Sequence, residues 1–310
     1  MKILITGIHG FVGSNLVKAL APEHTIYGLD IISPEREGVE KTYSWDDLDK
    51  GVLPEVDAII NLAGKAHDTK NQAKADIYFK VNTELAKRIY DYFLASSAQK
   101  FIQFSSVKAA ADSVKGDRVD ETIEPAPKGP YGESKIAAEQ YIQEHMAKQT
   151  YILRPCMIHG PGNKGNLNLL FGVVRRGIPW PLGAFENRRT FMSIDNLTFI
   201  IQGLLTKEIE GGIYHVNDDE PVSTNELIEV ICQTMGKKAR IWHISQTVMK
   251  GCARAGDVLH LPLNSERLRK LTENYISDNR KIKQALGIEQ LPVRAMEGLR
   301  KTIQSFHRGL

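Results

Sequence analysis

Cysteine is scarce in this chain. Cys156, Cys232 and Cys252 are the three among 310 residues, too few and too scattered for a disulfide framework or a zinc site. Each reads as a small buried hydrophobe or an idle thiol. Long runs of one charge are missing as well: 40 basic residues are interspersed with 37 acidic ones, leaving a net charge of +3. Such a balance gives no footprint for nucleic acid or for an anionic membrane surface. No apolar stretch has the length of a bilayer span, and the opening "MKILITG" is a short apolar run closed by glycine, not a secretory leader. These absences point to a reducing cytoplasm. Repeats and low-complexity tracts are absent too, and 42% hydrophobic with 25% charged residues describes an ordinary globular chain with room for two lobes.

What is present is a rhythm. Short apolar runs alternate with amphipathic segments: "KILITG", then "SNLVKALA", "TIYGLD", "DAIINLAG", "KVNTELAKRIYDYFLA", "KFIQFSS", a helix from near Tyr131, and "TYILRPCMI". That alternation predicts an α/β fold with a Rossmann-type, doubly wound parallel sheet. After Gly160 the texture becomes richer in Gly, Pro, Asn and Arg. The expected organisation is a dinucleotide-binding domain over 1–165, with 190–218 returning to it. A smaller C-terminal α/β substrate lobe over 166–189 and 219–310 would close over the carboxyl edge of the sheet. In "IYHVNDDEPVSTNELIEVI" a further strand leads into a helix that starts near Ser223 or Thr224.

"TGIHGFVGSNL" follows the first strand and opens the first helix. Gly7 suits a tight turn, Gly10 a close backbone approach, and Gly13 the packing of helix on strand, with Phe11 and Val12 in the first turn. Free N–H groups at a helix start accept an anion, here a dinucleotide pyrophosphate. Asp30 ends the second strand where a carboxylate takes hydrogen bonds from an adenosine ribose and repels a 2′-phosphate, which favours NAD over NADP. Arg36 lies close enough downstream to meet such a phosphate if its loop folds back.

"PYGESKIAAEQYI" poses a physical problem. At about 100° per residue, Tyr131, Lys135, Ala138 and Ile142 fall on one stripe, whereas Glu133, Gln140 and Glu144 lie elsewhere. A lysine on a core-facing stripe needs a polar partner or a shifted pKa. A snorkelling lysine beside a packing tyrosine fits the same letters.

Taken together, the glycine spacing, "NLAG", "FSSV", "PYGESK" and "LRPCMIHGPG" resemble, in order and separation, the extended short-chain dehydrogenase/reductases. Within them the chain looks like the nucleotide-sugar epimerase, dehydratase and 4-ketoreductase branch. The resemblance implies that Tyr131 is a general acid/base, that Lys135 holds the nicotinamide ribose and lowers the tyrosine pKa, and that Ser106, rather than Ser105, bonds the same substrate oxygen. It implies cofactor contacts at Asn61, Leu62, Ala63 and Gly64 and at Asn82, besides Tyr131 and Lys135; Lys65 and His67 read as exposed loop residues. On the substrate side it implies Arg189, beside Arg188, as a diphosphate ligand, Asn166 at the start of a lobe helix, and Arg269 or equally Arg267 as a second arginine. Ser106 and Lys108 would also face the substrate.

The chain departs from the family pattern at Met157 and His159, where many members carry asparagine and tyrosine, and at "VKAAAD" after Ser106. The Asp-Glu pair of 4,6-dehydratases is replaced by Val107 and Lys108. The resemblance therefore implies NAD-dependent hydride transfer at C4 of a UDP-hexose or UDP-N-acetylhexosamine, by a 4-epimerase or by a 4-ketoreductase of a UDP-4-keto-6-deoxy-hexosamine in surface-polysaccharide synthesis. It also implies a homodimer through the helices over 80–95 and 131–147. No metal is called for. A non-catalytic dinucleotide sensor would need only the glycine loop and Asp30.

Overall fold

Apolar strands follow one another through the first half of the chain as their spacing requires. The computed structural model describes residues 1–65, 74–114, 116–163, 165–261 and 263–308. β1 (Lys2–Thr6), β2 (Thr25–Leu29), β3 (Lys41–Tyr43), β4 (Ala58–Asn61), β5 (Lys100–Phe104) and β6 (Gln149–Pro155) lie parallel in one sheet. Between them run α1 (Phe11–Leu20), α2 (Trp45–Asp49), α3 (Ala75–Tyr78), a π-helical turn at Phe79–Glu84, α4 (Leu85–Ala95), α5 (Val107–Ala110) and α6 (Gly129–Glu144).

After β6 come β7 (Met157–His159), α7 (Asn166–Arg175), β8 (Arg188–Arg189) and β9 (Phe191–Ser193). The chain then returns along α8 (Ile194–Thr206) and re-enters the sheet as β10 (Gly212–Val216). The order β10-β6-β5-β4-β1-β2-β3 reverses direction between β1 and β4, and a ligand crevice forms at such a reversal, outside the strand carboxyl ends. This is the expected doubly wound sheet.

Both faces of the sheet are covered, so its strands read as continuous apolar runs rather than as alternating ones. Ile3 and Ile5 of β1 point to the side where Leu16 and Leu20 of α1 meet Leu197, Ile200 and Leu204 of α8. Leu4, one residue out of phase, packs on the other side with Ile89 and Phe93 of α4 and Ile142 of α6.

A second core belongs to the later segments. β11 (Val222–Ser223) pairs antiparallel with β8 and leads into α9 (Thr224–Thr234). The start of α9 is fixed by a capping box: the Ser223 hydroxyl accepts from the Glu226 N–H at 3.1 Å while the Glu226 carboxylate accepts from the Ser223 N–H at 2.7 Å. α10 (Gln246–Leu259), α11 (Ser265–Thr272), α12 (Arg280–Leu286) and α13 (Ala295–Arg308) follow. Leu167 and Phe171 of α7, Leu227 and Ile231 of α9, and Leu299 and Ile303 of α13 share one cluster. Among the described residues no helix is long and apolar enough to cross a membrane.

Two local features depart from the sequence reading. β3 is an edge strand of three residues that pairs with β2 only, and three residues carry too little periodicity to announce themselves. The expected continuous helix over 80–95 begins instead with the π-helical turn, which buries Asn82 and Thr83. A π turn is an insertion in register with no compositional mark, and such turns gather at functional sites.

Candidate active site

The glycine loop forms at the carboxyl end of β1. Gly7 has φ +64°, the left-handed region that glycine adopts without penalty, and its N–H reaches the Leu29 carbonyl at 2.8 Å. A side chain at Gly13 would put a Cβ 2.6 Å from the Ile8 carbonyl oxygen and 2.7 Å from that of Gly7, so only glycine lets α1 sit this close to the turn. Gly10 caps α1 without a side chain. Phe11, Val12 and Gly13 therefore present first-turn amides, which have no preceding turn to bond.

Asp30, just past β2, accepts the His9 N–H at 3.0 Å and the Ile31 N–H at 2.7 Å. Its carboxylate thus lies against the loop. Arg36 folds back to the same loop and donates to the Ile8 carbonyl at 3.5 Å. A cradle without side chains, a helix start and a carboxylate at the next strand end fit a dinucleotide. Gly13→Ala is expected to cost about 1–3 kcal/mol of stability by overpacking and to weaken NAD binding at least tenfold, as read by urea denaturation and by fluorescence titration of the cofactor.

At the end of β4 several polar groups are turned inward. Asn61 is wholly buried, accepts the Thr6 hydroxyl at 2.5 Å and donates to the Gln103 side chain at 2.8 Å. The Ala63 N–H is likewise turned inward, to Thr6 Oγ1 at 2.9 Å, and Leu62 packs on the core. Asn61 and Ala63 spend these polar atoms on tying β1, β4 and β5 together beneath the crevice.

Asn82 sits in the π-helical turn and clamps two neighbours. Its side chain accepts the Lys65 N–H at 2.7 Å and donates to the Lys65 carbonyl at 3.2 Å and the Ser134 hydroxyl at 3.0 Å. These bonds tie Lys65, shortly after β4, to α6. Lys65 places its ammonium 5.9 Å from the centre of the Tyr78 ring. His67 lies outside the described residues.

At the end of β5 the two serines divide their work. Ser106 caps α5, accepting the Lys108 N–H at 3.2 Å, and is hydrogen-bonded with Tyr131. Ser105 turns the other way and donates to the carboxylate of Glu139. α6 shows the expected stripe: Lys135, Ala138 and Ile142 are buried, Tyr131 is half-buried, and Glu133, Gln140 and Glu144 are exposed. The Tyr131 ring meets Tyr78 edge-on at 6.2 Å.

Lys135 is 6% exposed and donates to the Phe104 carbonyl at 3.0 Å. Its ammonium lies over Gly64, where a Cβ would come within 3.1 Å of it. Burial lowers its pKa to about 8, against the opposing pull of Glu139.

In the protein alone, burial works against the tuning that the resemblance implies for Tyr131. The Tyr131 pKa is raised, not lowered, because burial outweighs the Ser106 hydrogen bond, and Tyr78 adds to the rise. The Lys135 ammonium, committed to a backbone carbonyl, does not reverse that balance.

Three of the substrate-side candidates, Lys108, Arg189 and Arg269, meet in one ionic knot. Lys108 donates to the Asp112 carbonyl at 2.7 Å and lies 4.5 Å from the Tyr275 ring centre. Arg269 pairs with Glu273 at 2.9 Å and approaches Asp112 at 3.9 Å. Arg189 donates to the Glu273 carbonyl at 3.3 Å and to the Lys270 carbonyl. Burial lowers the Lys108 pKa, with Asp112 opposing; it lowers that of Arg189 as well, with Glu273 opposing. The Tyr275 hydroxyl ties this knot to the catalytic side by donating to the Val107 and Ala111 carbonyls at 3.1 and 2.7 Å. Asn166 is exposed at the first position of α7, and among the described residues no hydrogen bond joins it to these cations.

The sequence reading passed over Glu139 and Arg154. Arg154 donates to both Glu139 oxygens, at 3.1 and 2.6 Å, with the two side chains 1% and 0% exposed. A signal existed. Tyr131, Lys135 and Glu139 recur every four residues, and a lone arginine interrupts the apolar strand "YILRP". His159 is also fully buried, bonded to Thr302 at 2.9 Å and 3.5 Å from Asp218, so it serves the packing of α13 rather than the crevice.

Residues 3–216 match the model of the NAD dependent epimerase/dehydratase family. A UDP-glucose 4-epimerase of Vibrio cholerae is 27% identical over 98% of this chain and 95% of its own length. A UDP-2-acetamido-2,6-beta-L-arabino-hexul-4-ose reductase of Pseudomonas aeruginosa is 25% identical over 89% of this chain and 67% of its own. In fold the chain is similar to a UDP-glucuronic acid 4-epimerase from Bacillus cereus solved with NAD, at a TM-score of 0.76, 21% identity and 99% coverage of both chains.

Proposed function

Because this chain belongs to the NAD dependent epimerase/dehydratase family, an enzyme family whose relatives here are nucleotide-sugar epimerases and reductases, we propose that it is a UDP-hexose or UDP-N-acetylhexosamine 4-epimerase. The observation that carries the reading is the hydrogen bond between Ser106 and Tyr131 with the buried Lys135 ammonium one helical turn on. The Vibrio cholerae relative, similar from end to end, supports the substrate class.

NAD held by the glycine cradle and Asp30 would supply a hydride acceptor and donor for C4 and a positive charge. Everything else falls to the chain. Ser106 donates to the sugar O4 and steers it to Tyr131, which takes the O4 proton as the C4–H bond breaks. Once the 4-keto sugar has turned over in the crevice, Tyr131 returns the proton to O4. Lys135 keeps positive charge near the phenol throughout, countering the rise that burial imposes on Tyr131. Arg189 and Arg269 meet the diphosphate, and Asp112 and Glu273 hold those cations in place beforehand.

A pH profile follows. As pH rises through about 8, Lys135 loses its proton, Tyr131 loses its neighbouring cation, and kcat/KM should fall. Stability responds in the opposite sense. A folded pKa of about 8, set against an ordinary 10.5, makes the folded state the weaker proton binder. This group's contribution to stability therefore grows over that window. Parallel activity and urea-denaturation series between these pH values should diverge.

A second reading, reduction of a UDP-4-keto-6-deoxy-hexosamine, is supported by Lys108 and Met157, where the chain departs from the family pattern, and by the Pseudomonas aeruginosa relative. Incubation with UDP-sugars separates the two. Epimer formed with no net change in reduced nicotinamide supports the epimerase. Stoichiometric consumption of reduced nicotinamide by a 4-keto sugar rejects it.

A further inference from the structure

We propose that Glu139 is a positioning residue for the reaction: cross-linked by Arg154 and Ser105, it holds Lys135 and Ser106 in register and keeps a counter-charge one helical turn behind the Lys135 ammonium. The inference rests on the reading that Ser106, Tyr131 and Lys135 carry the chemistry.

Three observations carry it. Glu139 follows Lys135 by four residues, which sets the two on adjacent turns of one helix face. Its oxygens accept from groups anchored on the catalytic strands: Ser105, directly before Ser106 at the end of β5, and Arg154 near the end of β6. Glu139 therefore joins α6 to both strand ends at the height of the reaction. The pair is also sealed from water, at 1% and 0% exposure. A buried ion pair seldom stabilises a fold more than apolar side chains of similar volume would, so packing alone does not account for these charges.

Glu139 is paired with one cation, Arg154, and stands four residues on from a second, Lys135. Further titratable groups near this part of the site are Tyr131 on α6, the Tyr78 ring that meets Tyr131 from α3, and the Lys65 ammonium 5.9 Å from the centre of that ring. The Glu139 carboxylate is the acidic charge that opposes the effect of burial on the Lys135 ammonium. Its charge favours the protonated amine; removing the charge lets burial act unopposed.

Glu139→Gln keeps a side chain that can hydrogen-bond and removes the charge. The alkaline limb of kcat/KM is expected to move at least half a pH unit toward acid, and Glu139→Asp, which restores the charge, to return it most of the way. Ser105→Ala, a small change that tests positioning apart from the ion pair, is expected to lower kcat at least threefold at constant KM and constant thermal midpoint. NADH affinity, measured by fluorescence against pH in the absence of sugar, should lose its Lys135-linked component at the same lower pH in Glu139→Gln. An unmoved limb in Glu139→Gln, or an unchanged kcat in Ser105→Ala, overturns the proposal while leaving the catalytic reading intact. Failure of that reading looks different: wild-type activity would then survive Tyr131→Phe.

Discussion

Replacing Tyr131 by phenylalanine is expected to lower kcat by about 10²–10⁴-fold, the range that a positioned acid/base supplies, with KM for the nucleotide-sugar and the thermal midpoint nearly unchanged. The substitution is narrow because the ring keeps its edge contact with Tyr78 at 6.2 Å. Only the hydroxyl, and with it the Ser106 bond, is lost. A purely structural tyrosine would show the reverse pattern, a lower midpoint with turnover intact. Steady-state kinetics and a melting curve on the same preparation decide between these outcomes.

The second large effect concerns stability. Arg154→Met leaves Glu139 as a buried carboxylate without its guanidinium partner, and breaking such a pair costs about 3–5 kcal/mol. Urea denaturation should register a loss of that size. The double variant Arg154→Met/Glu139→Leu removes both charges and fills their space, so most of the loss should be recovered, as hydrophobic replacement of buried pairs commonly allows. A single variant that matched the wild type would mean that water or another donor already satisfies Glu139 in the folded state.

Sequence and structure agree where the physics is local. The turn at Gly7, the close approach at Gly13 and the capping box of Ser223 and Glu226 depend on a few neighbouring residues, and the letters announce them. The inward lysine of α6 is equally legible, since helical periodicity alone puts Lys135 with Ala138 and Ile142. The partners of that lysine are not. Whether its ammonium meets the Phe104 carbonyl or the Tyr131 hydroxyl depends on how β5 and α6 come together, a contact spanning 31 residues that no spacing rule contains. The pKa direction of Tyr131 fails to show in sequence for the same reason, because burial is a property of the assembled site.

Asn61 illustrates a subtler limit. An amide at a strand end reads as a ligand for something beyond the strand, yet here it bridges Thr6 and Gln103 across three strands. The knot of Lys108, Arg189 and Arg269 lies at the opposite extreme. These three residues are spread over more than 160 positions, and α5, the end of β8 and the last turn of α11 bring them together around Asp112 and Glu273.

The most direct test of hydride transfer at C4 is the fate of that hydrogen. A UDP-hexose carrying deuterium at C4 should yield the 4-epimer with the label still on C4, at unit retention and with no net reduced nicotinamide, as the product is read by NMR and mass spectrometry. Epimer that has exchanged its C4 label with water, or inversion that leaves the C4–H bond untouched, would contradict the account.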